Sequence, residues 1–252
     1  MTQQEALFNY LLRLGDNALI LSYRLGEWSS NAPYLEEDLA LTNIALDLTG
    51  RADALLRYAG QIEGKGRTED DLAFKRDERH FYNNLITELP NGDFAATIAR
   101  QLLYSTFDLL LYEALTKSSD ATIAGIAEKA IKETKYHIRH CTQWMYRLGD
   151  GTEESHKRTQ TALDELWMFT GELFEMDEVD NVLIKDGIAV DLQSLRSRWN
   201  ERVSETIVTS TLTRPTDGYM QSGSRKGVHS EYLGFILSEM QYLPRAYPDA
   251  KW

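Results

Sequence analysis

Cysteine is almost missing from this chain. Cys141 is the single one in 252 residues, so no internal disulfide can form. Proline is scarce as well, with five in all, and no stretch rich in Pro, Gly and Ser divides the sequence. One domain spanning residues 1–252 is therefore expected, large enough to bury a substantial core. No apolar run reaches membrane-spanning length, and the first ten residues lack the charged-then-apolar order of a signal peptide. Together these absences lead to an expectation of a soluble, cytoplasmic protein. Positive charge is in short supply: 27 Lys and Arg stand against 39 Asp and Glu, a net charge of -12. Such a chain offers nothing to neutralise a run of phosphates, which excludes a nucleic-acid surface while leaving room for local basic sites. There is no Gly-x-Ser-x-Gly, Gly-x-Gly-x-x-Gly or Cys-x-x-Cys, so serine hydrolase, dinucleotide and zinc-ribbon readings have no local support.

What is present is helical spacing. Apolar residues recur at steps of three and four in long blocks separated by short turns. The first block runs from about Gln4 to Trp28 and stops before Pro33; the second, from about Glu36 to Gln61, carries Leu39, Ala40, Ile44, Leu48, Ala52, Leu55 and Leu56. A shorter helical stretch from Leu72 to Thr87 follows. Pro90-Asn91-Gly92-Asp93 then reads as a turn with Asp93 as the cap of a third long helix reaching about Lys117. Asp120 starts the fourth, Gly149-Asp150-Gly151 ends it, and Thr152 caps the fifth. Beyond a turn at Asp186–Asp191, a helix is expected from Leu192 to about Thr209 and a last one from Ser230 to Arg245, around a Ser-, Thr- and Gly-rich stretch. The expected class is all-α: a ferritin-like helical bundle with additional shorter helices.

Such bundles hold two metal ions with a Glu from each of two helices and a Glu-x-x-His pair from each of two others. That set cannot be assembled here. Only His80, after Asp77, and His156, after Glu153, have a carboxylate three residues upstream, and both fall near expected turns. Polar residues do share helix faces: Asn43, Asp47 and Gly50; Gln101, Ser105, Asp108 and Tyr112; Glu133, His137 and His140; and, more loosely, Asp16, Tyr23 and Glu27. Asp47, Asp108, Glu133 and His137 can be read as a metal site or as a buried hydrogen-bond and ion-pair network. Glu133 to His137 is a step of four rather than three, and Gly50 stands where a second histidine would be wanted, which favours the network. Cys141, next to His140, reads as a core thiol, because adjacent helix positions point in different directions.

Two further segments carry binding chemistry. Residues 75–84, Lys-Arg-Asp-Glu-Arg-His-Phe-Tyr-Asn-Asn, mix cations with aromatics, a mixture that suits phosphate and adenine but that a solvated, salt-bridged helix end accounts for more simply. Residues 222–231 place Arg225 and Lys226 just before a helix start, a combination that can hold an anion.

Several stretches resemble the C-subunit family of the phenylacetyl-CoA epoxidases (phenylacetate-CoA oxygenases, PaaC-type). They are Leu12-Arg13-Leu14-Gly15-Asp16-Asn17, Arg24-Leu25-Gly26-Glu27-Trp28, Asp38 through Leu48, Arg76-Asp77-Glu78-Arg79 and Pro90 through Ala95. Ala130-Ile131-Lys132-Glu133 with Tyr136-His137, Lys226 through Glu231, and Ser238 through Leu243 belong with them, in the same order up to Trp252. The resemblance implies a ferritin-like, non-catalytic structural subunit of a phenylacetyl-CoA 1,2-epoxidase, an NADPH- and oxygen-dependent monooxygenase of aerobic phenylacetate degradation. It implies no cofactor in this chain and di-iron in a homologous catalytic A subunit. Flavin, an iron-sulfur cluster and NADPH would belong to a reductase subunit. It further implies help in binding the CoA substrate through Arg79, His80, Phe81 and Tyr82, and through Asp180, Asn181 and Val182. His80 and Tyr82 are positions where the family is expected to vary, which puts the weight on Arg79 and Phe81. The competing expectation is an independent ferritin-like di-metal oxidoreductase.

Overall fold

The computed structural model describes residues 1–248 and Ala250; Trp252, where the resemblance ends, lies outside the described residues. Among the described residues there are eleven α-helices, joined by short 3-10 turns, and no strands. None of these helices is long and apolar enough to cross a membrane. The chain falls into two compact units, Met1–Pro90 with the residues from Gly223 onward, and Asn91–Ser222.

In the first unit α1 (Gln3–Gly26) and α2 (Leu35–Glu63) pack along each other. A capping box opens α1: the Thr2 side chain accepts from the Glu5 amide, and the Glu5 carboxylate accepts from the Thr2 amide at 2.8 Å. Gly64, at φ 70°, closes α2 in the left-handed conformation that a Cβ disfavours. α3 (Glu69–Phe74) and α4 (Leu85–Glu88) are single short turns.

The second unit is built on α5 (Phe94–Leu115), which is buried around nearly its whole circumference, as an apolar helix must be. α6 (Ala121–Gly149), α7 (Glu153–Trp167) and α9 (Arg196–Thr209) pack against it, with α8 (Glu178–Lys185) between the last two in sequence. The expected caps act as such: Asp93 accepts from the Ala96 amide at 2.9 Å, Asp120 from Thr122 at 2.9 Å, and Thr152 from Ser155 at 3.1 Å. On α6 the buried residues Ile123, Ala127, Ala130, Thr134, His137, Cys141 and Met145 form one face at steps of three and four. Burial pushes the Cys141 thiol up to about 12, so it stays protonated and belongs to the core, as its spacing implies.

The chain completes the first unit with α10 (Glu231–Met240) and α11 (Tyr242–Ala246), one expected helix that breaks at Gln241. The side-chain amide of Gln241 is turned inward and donates to the Arg76 carbonyl at 2.9 Å.

Candidate functional site

The segment between α3 and α4 is tied by hydrogen bonds to α1 and to the chain around α10, and it is not the helix that its spacing predicts. Apart from a 3-10 turn at Glu78–His80, it is not helical: residues 81–84 form no helix, and Phe81 is extended. The cause lies in α1. Asp16, wholly buried, pairs with the Arg76 guanidinium and accepts from the Tyr82 amide at 2.9 Å. One turn face along, Asn17 accepts from the Asn84 amide at 2.7 Å, and Arg24 donates twice to the Glu88 carbonyl at 2.9 and 2.8 Å. These bonds take amides that a helix would have turned back on itself. Arg76 also donates to the Leu72 carbonyl and, at 2.7 Å, to that of His80, while its guanidinium stacks over the Phe81 ring at 4.1 Å. Of the looser α1 stripe, Asp16 serves this segment, Tyr23 donates to Glu239 at 2.7 Å, and Glu27 pairs with Arg24 at 2.7 Å.

The outer side of the segment presents Arg79 and His80, both exposed, with Tyr82 half-buried. Against it lies the glycine-containing loop before α10. Gly227, at φ 64°, sits so close to the Arg79 backbone that a Cβ would lie 2.1 Å from the Arg79 carbonyl oxygen. Arg79 itself donates to the Gly227 carbonyl at 3.4 Å, and Lys226, the residue before Gly227, is exposed. The expectation for Phe81 is corrected here. Its side chain is fully buried in a cluster with Ile20, Leu233, Ile236 and Leu237, so it has no face to offer a ligand. The anion expected at the start of the last long helix is supplied from within. The Glu88 carboxylate accepts from the Ser230 amide and hydroxyl, both at 2.7 Å.

Asp180, Asn181 and Val182 lie in the second unit, in the first turns of α8. Asp180 is buried and closes a capping box, accepting from the Asp177 amide at 3.0 Å, which makes it a helix-start residue rather than a surface contact. Asn181 is exposed and Val182 half-buried.

The expected buried polar network is buried only in part. Asp108 and His137 are inside, and the Thr134 hydroxyl donates to Asp108 at 3.2 Å. Glu133 keeps 15% of its side chain exposed, 3.5 Å from the outlying Lys129. Asp47 is half-buried on α2, beside exposed Asn43 and Gly50, because that arc of the helix faces away from its partners. Neither amide atom of fully buried Gln101 has a hydrogen-bond partner among the described residues. No group of three or more His, Cys, Asp and Glu among the described residues could hold a metal ion. A di-iron centre does not fit this donor set: α5 places one carboxylate, Asp108, on a face otherwise made of Gln101, Ser105 and Tyr112, and that carboxylate is engaged by a hydroxyl.

The pair that spacing gave no hint of is Glu88 with His229. Both side chains are wholly buried, Glu88 lies 2.8 Å from His229 Nδ1, and 141 residues separate them. The only local sign of it is the short motif around His229, which carries Arg225 and Lys226 just upstream.

A family model described as phenylacetic acid catabolic protein matches residues 1–252. Over 243 residues the chain is 50% identical to the C subunit of the 1,2-phenylacetyl-CoA epoxidase of Escherichia coli (strain K12), covering 96% of this chain and 98% of that protein. An all-helical, ferritin-like fold is the one this family has. The chain therefore belongs to the phenylacetic acid catabolic protein family.

Proposed function

We propose that this chain is the non-catalytic structural subunit of a 1,2-phenylacetyl-CoA epoxidase. In this role it supports a homologous di-iron A subunit and helps to seat the CoA substrate, in cytoplasmic phenylacetate degradation. The observation that carries the reading is the identity to an epoxidase C subunit along nearly the whole of both chains. The donor set of α5 and α6 supports the non-catalytic part, since it does not suit two metal ions. Association is supported by α2, where Leu35, Leu39 and Leu46 stand exposed on one stripe, at 72%, 54% and 63%. The oxygen chemistry belongs to iron in the A subunit, and the electrons come from NADPH through a reductase with flavin and an iron-sulfur cluster.

For the CoA part, Arg79 is the residue that combines exposure with the right chemistry. A guanidinium can bond a phosphate in bidentate fashion, and Lys226, exposed and one residue before the Gly227 that packs on Arg79, supplies a second cation on the same loop. His80 and Tyr82 can contribute at the edge, and Asn181 and Val182 are the accessible members of the second set.

Two measurements test the reading. Purified alone, the chain should hold no stoichiometric iron and no oxygenase activity, and mixed with the A subunit at micromolar concentration it should co-elute with it. Two iron ions per chain, or two separate peaks, would contradict the proposal and favour an independent di-metal oxidoreductase. In the assembled complex, Arg79→Ala should raise the apparent KM for the CoA substrate about tenfold with kcat little changed. The guanidinium contributes binding to a remote part of the substrate, not to the reacting atoms. An unchanged KM removes Arg79 from the substrate surface.

A further inference from the structure

We infer that His229 is a buried, doubly protonated clamp that holds the Arg79–Tyr82 turn against the loop before α10, and that loss of its proton releases the two from each other. Both ring nitrogens face acceptors: Nδ1 lies 2.8 Å from the Glu88 carboxylate, and Nε2 lies 2.8 Å from the Phe81 carbonyl oxygen. A neutral imidazole has one donor and one acceptor nitrogen, so it cannot satisfy both. A carbonyl oxygen cannot donate, so Nε2 must carry hydrogen; the state of the pair then turns on Glu88.

Both Glu88 carboxylate oxygens stand as acceptors in their hydrogen bonds. Three donors converge on them besides the histidine: the Asn83 side-chain amide at 2.9 Å, and the Ser230 amide and hydroxyl, both at 2.7 Å. From α1, the Arg24 guanidinium sits on the Glu88 backbone carbonyl, and the negative charge of Asp16, paired to Arg76, acts on the histidine. With an anion on Nδ1 and a carbonyl on Nε2, the imidazolium completes every bond.

Burial by itself would lower the histidine's proton affinity. The hydrogen bond and charge of Glu88, the Phe81 carbonyl and the charge of Asp16 outweigh burial, and the result lies above the ordinary value of 6.5. The sign follows: a group whose folded value is raised contributes stability in full below 6.5, and that contribution is lost as pH rises through the folded value. Deprotonation leaves Glu88 as a buried anion facing a lone pair, or one acceptor without a donor, so the clamp opens on the alkaline side.

The protonation state does not depend on what Arg79 binds, whereas its consequence for the CoA surface rests on the function proposed above. The test reads the two separately. In the full chain labelled with 15N-histidine, His229, assigned through the loss of its signal in His229→Gln, should show two protonated ring nitrogens at pH 7. In the parent, amide protection at Tyr82, Asn84 and Ser230, corrected for intrinsic pH dependence, should fall at least tenfold as pH rises through that titration. Amides of α5 serve as the reference and should not follow. A neutral-imidazole nitrogen shift at pH 7 overturns the inference by showing a protonated Glu88 instead, and so does protection that ignores the titration. If His229→Gln does not fold, the other four histidines replaced one at a time identify the remaining signal as His229, and the exchange measurement on the parent then decides. A failure of the KM prediction for Arg79→Ala would leave both of these results standing.

Discussion

Replacing Asp16 with alanine is expected to lower the melting temperature by about 10 °C, the largest effect of any single polar change in the first unit. Asp16 is wholly buried, as is nearly all of Arg76, and the carboxylate also accepts the Tyr82 amide at 2.9 Å. Removing it leaves a guanidinium without its counter-charge in a dry setting, at a cost of roughly 3–5 kcal/mol. The same change frees Tyr82 from α1, so the Arg79–Tyr82 turn should loosen along with the loss of stability. Asp16→Asn, which keeps the shape and one acceptor but not the charge, should fall between parent and alanine. The double variant Asp16→Leu/Arg76→Met, which removes both charges, should recover much of the loss. Thermal melts of the four proteins check this. A shift under about 2 °C for Asp16→Ala would mean that the pair is solvated and contributes little.

Phe81→Ala is expected to be comparably damaging, by roughly 3–5 kcal/mol, because the ring is fully buried and its removal opens a cavity that surrounding residues fill only in part. Ile20 of α1 and Leu233, Ile236 and Leu237 of α10 line that space, so the change should detach α10 from α1 before anything else. Arg76 loses the ring beneath its guanidinium at the same time. Phe81→Leu should recover over half of the loss, since it refills most of the apolar volume. The contrast with Arg79→Ala is diagnostic: two residues apart, one change should act on the melting curve and the other on substrate KM. A Phe81→Ala protein that melts like the parent but binds substrate poorly would return the ring to the ligand surface. Denaturant unfolding of the variants, with binding measured in the assembled complex, separates the outcomes.

The correction at Phe81 shows how far local reading carries in this protein. Spacing and caps were sufficient for the long helices. Asp93, Asp120 and Thr152 each accept the amides expected of them, and the α6 face from Ile123 to Met145 is the one its apolar steps predict. These features depend on neighbours three and four residues away, which a one-dimensional pattern contains in full. The short motifs that carry the family resemblance were likewise readable, and the family match covers the whole chain.

Residues 75–89 were not readable in that way. Their composition is that of a basic, aromatic helix end, yet Tyr82 and Asn84 give their amides to Asp16 and Asn17, more than sixty residues earlier. Which aromatic faces inward was settled by α10 arriving from the far end of the chain, and which anion fills its N-terminus was settled by Glu88, 142 residues before Ser230. Likewise the four residues grouped as one buried network divide into buried Asp108 and His137 and half-buried Asp47 and Glu133. Their shared helical spacing states which side of its own helix each occupies, and only the packing of other elements decides whether that side is covered. Helices, caps and family were thus written in local order, whereas the buried pairs Asp16–Arg76 and Glu88–His229 exist because folding brings together charges 60 and 141 residues apart and removes them from water.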